Sequence, residues 1–288
     1  MRLIASDLDG TLLISHSEIG EENLKALKYA RENGVTFVAS TGRTFPGASR
    51  VFKDTDFLPD YFISCNGTLI FTGEGEEIRK TPLDKTLATQ VLEYLHNNNF
   101  SYSVSCEDRM YVIRSSYDII KNEYENCSSY GTSETTGSLK DFYDLFQPRS
   151  GIEAVDSYHD MLKSGKDIFS IICISIDKNR LKEGQEGLKH IEDITLTSSA
   201  SNNFEIFHKD ASKGAALEYL ANKINISLDE TMAIGDNFND LPMLEKAKIS
   251  VAMGNARDGV KEKCSFVTKR NDEHGVAHAI YHFMGAKG

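Results

Sequence analysis

Strand and helix patterns alternate at both ends of the chain, and this order limits the possible folds more than any other feature. Near the amino terminus, a short apolar strand at Leu3–Ser6 leads through a helical pattern to an apolar run at 35–39. Near the carboxyl terminus, apolar runs at 231–234 and 249–253 enclose another helical pattern. Runs that are apolar at every position are typical of strands buried on both faces. The order therefore predicts an α/β fold, a doubly wound and mostly parallel Rossmann-like sheet with helices on both faces.

The middle of the chain follows a different pattern. Between residues 83 and 207, the candidate strands alternate apolar and polar residues. This alternation is typical of an open, mostly antiparallel sheet with one buried face. We therefore expect an inserted α+β domain with helices on one face of its sheet. The predicted limits are 1–82 and 208–288 for the core and 83–207 for the insert.

Composition and charge disfavour several classes of protein. With 43 acidic and 32 basic side chains, the formal net charge is -11, so nucleic acids and anionic membranes are poor partners. The longest nearly apolar run, residues 169–176, is too short to span a bilayer, and the apolar start of the chain is too short for a signal peptide. Five cysteines without Cys-x-x-Cys spacing favour reduced thiols over a disulfide or zinc framework. We therefore expect a cytoplasmic protein.

The sequence DLDGTL, residues 7–12, lies directly after the first strand. Asp7 and Asp9 are two residues apart, so on extended backbone their carboxylates project to the same side. They lie at the strand end where open α/β sheets bind ligands. One carboxylate can attack a phosphoryl group while the other protonates the leaving oxygen and later activates water. Two anions facing a phosphate need a divalent cation, and Mg²⁺ prefers oxygen ligands. The alternative interpretation is a pair of solvated aspartates that cap a helix.

Three further loops after predicted strands carry complementary groups. Residues 40–43 (STGR) offer a hydroxyl, a backbone N–H and a cation that can bind a phosphoryl oxygen. Residues 212–214 (SKG) open a helix with Lys213, against the preference of the helix dipole, so this lysine is a candidate counter-charge for phosphate. Residues 235–240 (GDNFND) include Asp236, which can complete a cation site. Each loop alone is also explained as a capping or solvated turn, but the four together predict a phosphoryl-transfer site.

The order and spacing of these motifs resemble those of the haloacid dehalogenase superfamily, and more narrowly those of the Cof-like phosphatases with a large α/β cap. The resemblance extends to residues 65–67, 253–256 and 275–277. It covers both halves of the core, whereas the insert matches the cap only by position and length. It implies a Mg²⁺-dependent phosphatase that hydrolyses a phosphomonoester of a small metabolite, such as a sugar phosphate, through an aspartyl-phosphate. In such an enzyme the cap supplies substrate specificity.

The resemblance implies a role for each matched residue. Asp7 would be the nucleophile, and Asp9 the general acid and base. The Mg²⁺ ligands would be Asp7, Asp236 and the backbone carbonyl of Asp9, with Asp240 supporting the site without binding the ion directly. The phosphoryl group and substrate would be bound by residues of several loops, namely Leu8, Thr41, Gly42, Arg43, Asn66, Lys213 and Asn239.

Two other functions are compatible with the sequence, a phosphomutase on the same scaffold and a non-catalytic ligand-binding module. His274, His278 and His282 recur every four residues and could form a zinc site, but no carboxylate or cysteine accompanies them in an obvious constellation. Tyr102, Tyr111 and Tyr117 either line a substrate pocket or pack in the sheet, and packing is favoured. The physiological substrate stays open, as does the choice between a monomer and a weak dimer.

Overall fold

The computed structural model describes residues 1–15, 17–106, 109–129, 152–198 and 201–285, with backbone alone for 127–129. These residues form two compact units. The first unit combines Met1–Thr81 with Asp210–Gly288, and the second is Pro82–Lys209. Each unit has its own secondary structure and apolar core.

Strands and helices follow one another along the described residues. The strands are β1 (Leu3–Ser6), β2 (Thr36–Ser40), β3 (Tyr61–Ser64), β4 (Leu69–Thr72), β5 (Glu77–Lys80), β6 (Ser101–Cys106), β7 (Met110–Ile113), β8 (Ile152–Val155), β9 (Ile168–Ile174), β10 (Ile194–Thr197), β11 (Asn203–His208), β12 (Thr231–Gly235), β13 (Ile249–Ala252) and β14 (Phe266–Val267). The α-helices are α1 (Glu21–Glu32), α2 (Phe45–Ser49), α3 (Lys85–Asn97), α4 (Ser115–Ser129), α5 (Tyr158–Lys163), α6 (Lys178–Leu188), α7 (Lys213–Lys223), α8 (Leu241–Lys246), α9 (Asp258–Lys261) and α10 (Gly275–Met284). Short 3₁₀ turns are formed by Arg50–Phe52, Cys65–Gly67, Leu228–Glu230, Phe238–Asp240 and Asn271–Glu273.

The first unit is built on one sheet with the strand order β14-β13-β12-β1-β2-β3-β4-β5. Neighbouring strands from β14 to β3 are parallel, and β4 and β5 extend the sheet as antiparallel strands. Every residue of β1 and of β12 is buried, as expected for central strands covered on both faces. The predicted α/β fold with a doubly wound, mostly parallel sheet is therefore confirmed.

The helices of the first unit pack in pairs, α1 against α10 and α7 against α8. Helix α1 buries Ala26, Leu27 and Ala30, which recur at helical spacing and face the core. Helix α7 is capped by Ser212, whose Oγ accepts a hydrogen bond of 3.1 Å from the backbone N–H of Ala215. This cap fixes the first turn of α7 and therefore the position of Lys213.

The strand directions bring the predicted motifs to one edge of the sheet. Strands β12, β1 and β2 are parallel neighbours, so their carboxyl ends lie side by side. Asp7 follows β1, Thr41 follows β2 and Asp236 follows β12. Open α/β sheets bind ligands at this edge.

The second unit is built on a sheet with the strand order β10-β11-β9-β6-β7-β8, in which only the β7–β8 pair among the described strands is parallel. Helices α3 and α6 pack on an apolar cluster that includes Ile171 and Cys173 of β9. Helix α4 packs on a separate apolar cluster. Its Ile120 lies there with Ile174 of β9, and Ile172 of β9 packs at the margin of that cluster. Successive residues of a strand face opposite sides, so these two clusters lie on opposite faces of the sheet. The prediction of helices on one face was therefore wrong.

Side chains of uncertain role in the second unit are used for packing. Tyr102 and Tyr111 are buried in the cluster beneath α3 and α6, which confirms packing over pocket lining. Tyr117 is partly buried and packs against the separate cluster that contains Ile120. No disulfide joins the cysteines whose side chains the structure describes, which are Cys65, Cys106, Cys173 and Cys264.

No helix in the described ranges has both the length and the apolar character that crossing a membrane requires.

We predict that Gly67→Ala lowers the free energy of unfolding by about 3 kcal/mol or more. Gly67 has a φ of +105°, and a Cβ there would lie 2.3 Å from the carbonyl oxygen of Ser212. Gly34→Ala is the matched control, because Gly34 also has a positive φ, +77°, but a Cβ added to it would meet no atom within 4 Å. It adds only backbone strain, about 1 kcal/mol. Urea unfolding measures both losses, and equal losses would contradict the close packing of Gly67.

Candidate active site

The loop after β1 has an irregular backbone that places its side chains. Asp7 is buried, and its carbonyl oxygen accepts a hydrogen bond of 3.2 Å from the N–H of Leu12. The chain turns at Gly10, which has a φ of +80°. A Cβ on Gly10 would lie 2.8 Å from Oδ2 of Asp236. The turn therefore needs glycine, both for its left-handed backbone and for the close approach of Asp236.

Lys213 joins two of the aspartates in a buried ion cluster. Its Nζ lies 2.7 Å from Oδ1 of Asp7 and 2.6 Å from Oδ1 of Asp240. The side chains of Lys213 and Asp240 are 0% exposed, and that of Asp7 is 8% exposed. A buried ammonium is tolerated only when it is paired and hydrogen-bonded, and both carboxylates meet that need.

The carboxylates in this cluster outnumber the ammonium. Burial raises the pKa of Asp7 well above its ordinary value, because the attraction of Lys213 does not fully offset burial and the repulsion of Asp240 and Asp236. Burial, with the repulsion of Asp240, raises the pKa of Asp236 to about 6. Burial alone would lower the pKa of Lys213, but Asp240 and Asp7 outweigh it and the pKa is raised. A further positive charge would therefore be favourable here.

The donor set fits a hard divalent cation. Asp7, Asp236 and Asp240 each offer a carboxylate oxygen, and these oxygens lie within 4.8 Å of one another. Asp240 already uses both oxygens, since Oδ1 binds Lys213 and Oδ2 accepts the backbone N–H of Asp236 at 2.9 Å. This geometry suits a supporting role for Asp240 and leaves Asp7 and Asp236 as the candidate carboxylate ligands. Oxygen donors of this kind are the ligands that Mg²⁺ prefers.

Thr11 contributes to this site although no role was predicted for it from the sequence. Its Oγ1 donates a hydrogen bond of 3.1 Å to Oδ1 of Asp236. The bond orients a carboxylate that comes from a strand more than two hundred residues away. Thr11 lies inside the DLDGTL sequence, so its position in that motif was the available signal.

Asp9 lies apart from the buried cluster and pairs with Arg43. Nε of Arg43 is 2.7 Å from Oδ2 of Asp9, and Nη2 of Arg43 contacts Oδ1, so the pair is bidentate. This hydrogen bonding raises the pKa of Arg43. The side chain of Asp9 is 49% exposed, so the pair lies at the open edge of the site.

Three predicted phosphate-binding residues, Thr41, Asn66 and Asn239, form one hydrogen-bonded network, and a fourth, Gly42, packs against it. The backbone N–H of Asn66 donates to the carbonyl oxygen of Thr41 at 3.0 Å, and Nδ2 of Asn239 donates to Oδ1 of Asn66 at 3.0 Å. Gly42 packs on the Asn66 amide, where a Cβ would lie 3.3 Å from Nδ2. The structure thus brings together the loops that follow β2, β3 and β12. The side chain of Leu8, by contrast, is buried in the apolar core, so only its backbone could face a ligand.

His274, which precedes α10, does not form a metal cluster with His278 and His282 of that helix in the described ranges. In the described ranges, the one group of three or more His, Cys, Asp or Glu side chains with suitably close ligand atoms is that of Asp7, Asp236 and Asp240. His278 instead contacts the Oγ1 of Thr268 through Nδ1 at 2.9 Å, and the ring of His282 stacks on Phe266.

Comparisons with known proteins identify the family to which the chain belongs. A family model described as haloacid dehalogenase-like hydrolase matches residues 4–280. Phosphatase YwpJ of Bacillus subtilis strain 168 is 37% identical over 286 residues, which are 99% of this chain and 100% of YwpJ. The 5-amino-6-(5-phospho-D-ribitylamino)uracil phosphatase YwtE of the same strain is 34% identical over 97% of both chains. A solved haloacid dehalogenase-like hydrolase from B. subtilis has a TM-score of 0.82 at 36% identity, covering 98% of this chain and 99% of that one.

We predict that the free energy of unfolding of the metal-free protein, measured in EDTA, falls as the pH rises from 4 to 7. The pKa of Asp236, about 6, exceeds that of an aspartate in an unfolded chain, about 3.9. The folded state therefore binds the proton more tightly. Below about pH 4 this adds on the order of 2 kcal/mol to the free energy of unfolding, and the contribution is lost as the pH rises through 6. Urea unfolding across this range measures the loss.

Asp236→Asn should reduce this pH dependence, because the amide does not titrate, while the part that comes from Asp7 stays. Asp258→Asn is the control, since the side chain of Asp258 is 97% exposed, and it should keep the wild-type slope. Added Mg²⁺ should restore stability at pH 7 in the wild type. Equal slopes for Asp236→Asn and the wild type would refute the assignment.

Proposed function

The chain belongs to the haloacid dehalogenase-like hydrolases, and we propose that it is a Mg²⁺-dependent phosphatase that hydrolyses phosphomonoesters of small metabolites through an aspartyl-phosphate intermediate. The predicted family and the predicted enzyme class, a phosphoric monoester hydrolase, are confirmed by the family match and by the similarity to phosphatases. The observation that carries the mechanistic proposal is the buried contact of Lys213 with Oδ1 of Asp7.

This contact positions the Asp7 carboxylate for chemistry. Lys213 holds Oδ1 at 2.7 Å, which fixes the carboxylate plane and offsets part of its charge. Oδ2 then attacks the phosphorus, a P–O bond to Asp7 forms, and the bond to the leaving alcohol breaks. The ammonium stays beside the acyl phosphate and stabilises the negative charge that collects there.

Asp9 serves as the general acid and base. Arg43 holds its carboxylate in the absence of substrate, and a guanidinium binds phosphoryl oxygens in the same bidentate way. We infer that Arg43 exchanges Asp9 for the incoming phosphoryl group, which frees Asp9. The freed Asp9 carboxylate takes up a proton from solvent and gives it to the leaving alcohol oxygen, and later it takes a proton from the water that hydrolyses the aspartyl-phosphate. Inorganic phosphate leaves, and Asp7 is regenerated.

The remaining residues hold the phosphoryl group and the cation. Thr41, Gly42 and Asn239 bind phosphoryl oxygens, with Asn66 and the Leu8 backbone beside them. Mg²⁺ would be held by Asp7, Asp236 and the Asp9 carbonyl, with Asp240 supporting them through Lys213 and the N–H of Asp236. When bound, the cation supplies charge neutralisation between the carboxylates and the phosphate dianion.

The substrate class follows from the relatives and the two compact units. YwtE acts on a phosphorylated ribitylaminouracil, which is a small metabolite. We assign residues 1–82 and 208–288 to the catalytic core and 83–207 to a cap that supplies substrate specificity. The compact units support this division, since their limits differ from it by one residue at the first crossing and two at the second. We assign a cytoplasmic location on the cysteine pattern of the sequence, five cysteines without Cys-x-x-Cys spacing.

A phosphate-release screen with Mg²⁺ tests the proposed function. The panel contains sugar phosphates, nucleotides, cofactor phosphates and a folded phosphoprotein, each with a parallel EDTA reaction. We expect at least one small metabolite to exceed the phosphoprotein by about tenfold or more in kcat/KM, and EDTA to abolish turnover. Phosphate release from no ester would contradict a phosphatase, and an isomerised sugar phosphate without release would indicate a mutase. Full activity after EDTA treatment and desalting would exclude the metal requirement.

We predict that Asp7→Asn lowers kcat by about 10³-fold or more while the fold survives. The amide has nearly the shape of the carboxylate but is a poor nucleophile. Asp54→Asn, at an exposed turn position, is the control and should leave kcat unchanged. Steady-state kinetics and thermal unfolding check both variants. Activity of Asp7→Asn within tenfold of the wild type would remove Asp7 from the nucleophile role.

A further inference from the structure

Three asparagine side chains hold the backbone of the loop that carries Asp7 and Asp9. Within residues 7–13, the carbonyl of Gly10 accepts Nδ2 of Asn255 at 2.8 Å. The carbonyls of the two residues at the end of the loop accept similar bonds, Leu12 from Asn23 at 3.0 Å and Leu13 from Asn271 at 2.8 Å. The donors come from α1, from the loop after β13 and from the turn before α10. An irregular loop is thus held from three separate elements.

We propose that Asn255 is a positioning residue for the phosphatase reaction, because its bond to the Gly10 carbonyl sets the position of the Asp7–Asp9 loop. This inference rests on the proposed function. Asn255 belongs to the sequence MGNA at 253–256, which matched the family resemblance but received no role.

The orientation of the Asn255 amide follows from its two partners. Oδ1 accepts the backbone N–H of Asn271 at 2.9 Å, and a backbone N–H can only donate. The NH₂ group must therefore face the Gly10 carbonyl, which can only accept. The loop that carries Asn255 is itself held, since the N–H of Gly254 donates to the carbonyl of Lys269 at 3.0 Å. Asn255 is consequently a fixed donor.

A displacement of Gly10 affects two functional groups of the site at once. It directly follows Asp9, and its Cα lies so close to Asp236 that a Cβ would be 2.8 Å from Oδ2. A shift of the Gly10 peptide therefore moves the acid/base carboxylate relative to the nucleophile and to a metal ligand together. In active sites a displacement of about 1 Å can cost about 10²-fold in rate.

Asn255→Ala tests the proposal, with Asn33→Ala as the matched control. Asn33 makes the same kind of bond, from Nδ2 to the carbonyl of Tyr29 at 2.8 Å, at the end of α1. We expect Asn255→Ala to lower kcat by about 10- to 100-fold with KM within about threefold of the wild type. Asn33→Ala should change neither constant. If Asn255→Ala does not fold, Asn255→Asp replaces it, because it has the same shape and keeps the acceptor for Asn271 while losing the donor.

Amide hydrogen exchange gives a second readout that does not depend on turnover. The N–H of Leu12 and that of Leu13 bind carbonyls within the loop at 3.2 Å and 2.9 Å. Both should exchange faster in the Asn255 variant and at the wild-type rate in Asn33→Ala. A wild-type kcat in the Asn255 variant of an active enzyme would overturn the proposal. If the wild type releases no phosphate from any ester, the proposed function fails, and the exchange rates alone decide whether Asn255 holds the loop.

Discussion

The buried contacts of the Lys213 ammonium with Asp7 and Asp240 are the interaction on which the rest of the site depends. A buried lysine without paired carboxylates would cost several kcal/mol. The ammonium therefore requires the start of α7, the loop after β1 and the loop after β12 to meet within hydrogen-bond distance. Three features satisfy that requirement: the Ser212 cap, the turn at Gly10 and the parallel register of β1 and β12.

The same cluster has too much negative charge for its single cation. Burial, and after it the repulsion of neighbouring carboxylates, raises the pKa values of Asp7 and Asp236 above those of ordinary carboxylates. A site arranged in this way is less stable alone than with a cation, which is typical of a binding site and not of a structural ion pair. Arg43 and Asp9, at the open edge, neutralise each other's charge. Because this pair is partly exposed, separating it costs less free energy than separating the buried pairs of Lys213.

The fold of the first unit followed from the sequence because its central strands are buried on both faces and are therefore apolar at every position. The second unit was harder to predict. The one-faced interpretation failed at β9, where Ile171 and Cys173 face one cluster while Ile172 and Ile174 face another. A strand apolar on both faces needs cover on both, and α4 supplies it. A sequence pattern shows which residues are apolar, but not which helix packs on each side.

The sequence by itself determined which chemical groups stand at the strand ends, because residues directly after β1, β2 and β12 must share one edge of a parallel sheet. Only the tertiary structure decided how those groups pair. The bond of Thr11 to Asp236 and that of Asn255 to Gly10 join residues 225 and 245 positions apart. Such partners are set by strand register, by a left-handed turn and by the packing of neighbouring helices. Local sequence specifies a donor or an acceptor, but distant segments meet only when burial of the core fixes the distance between them.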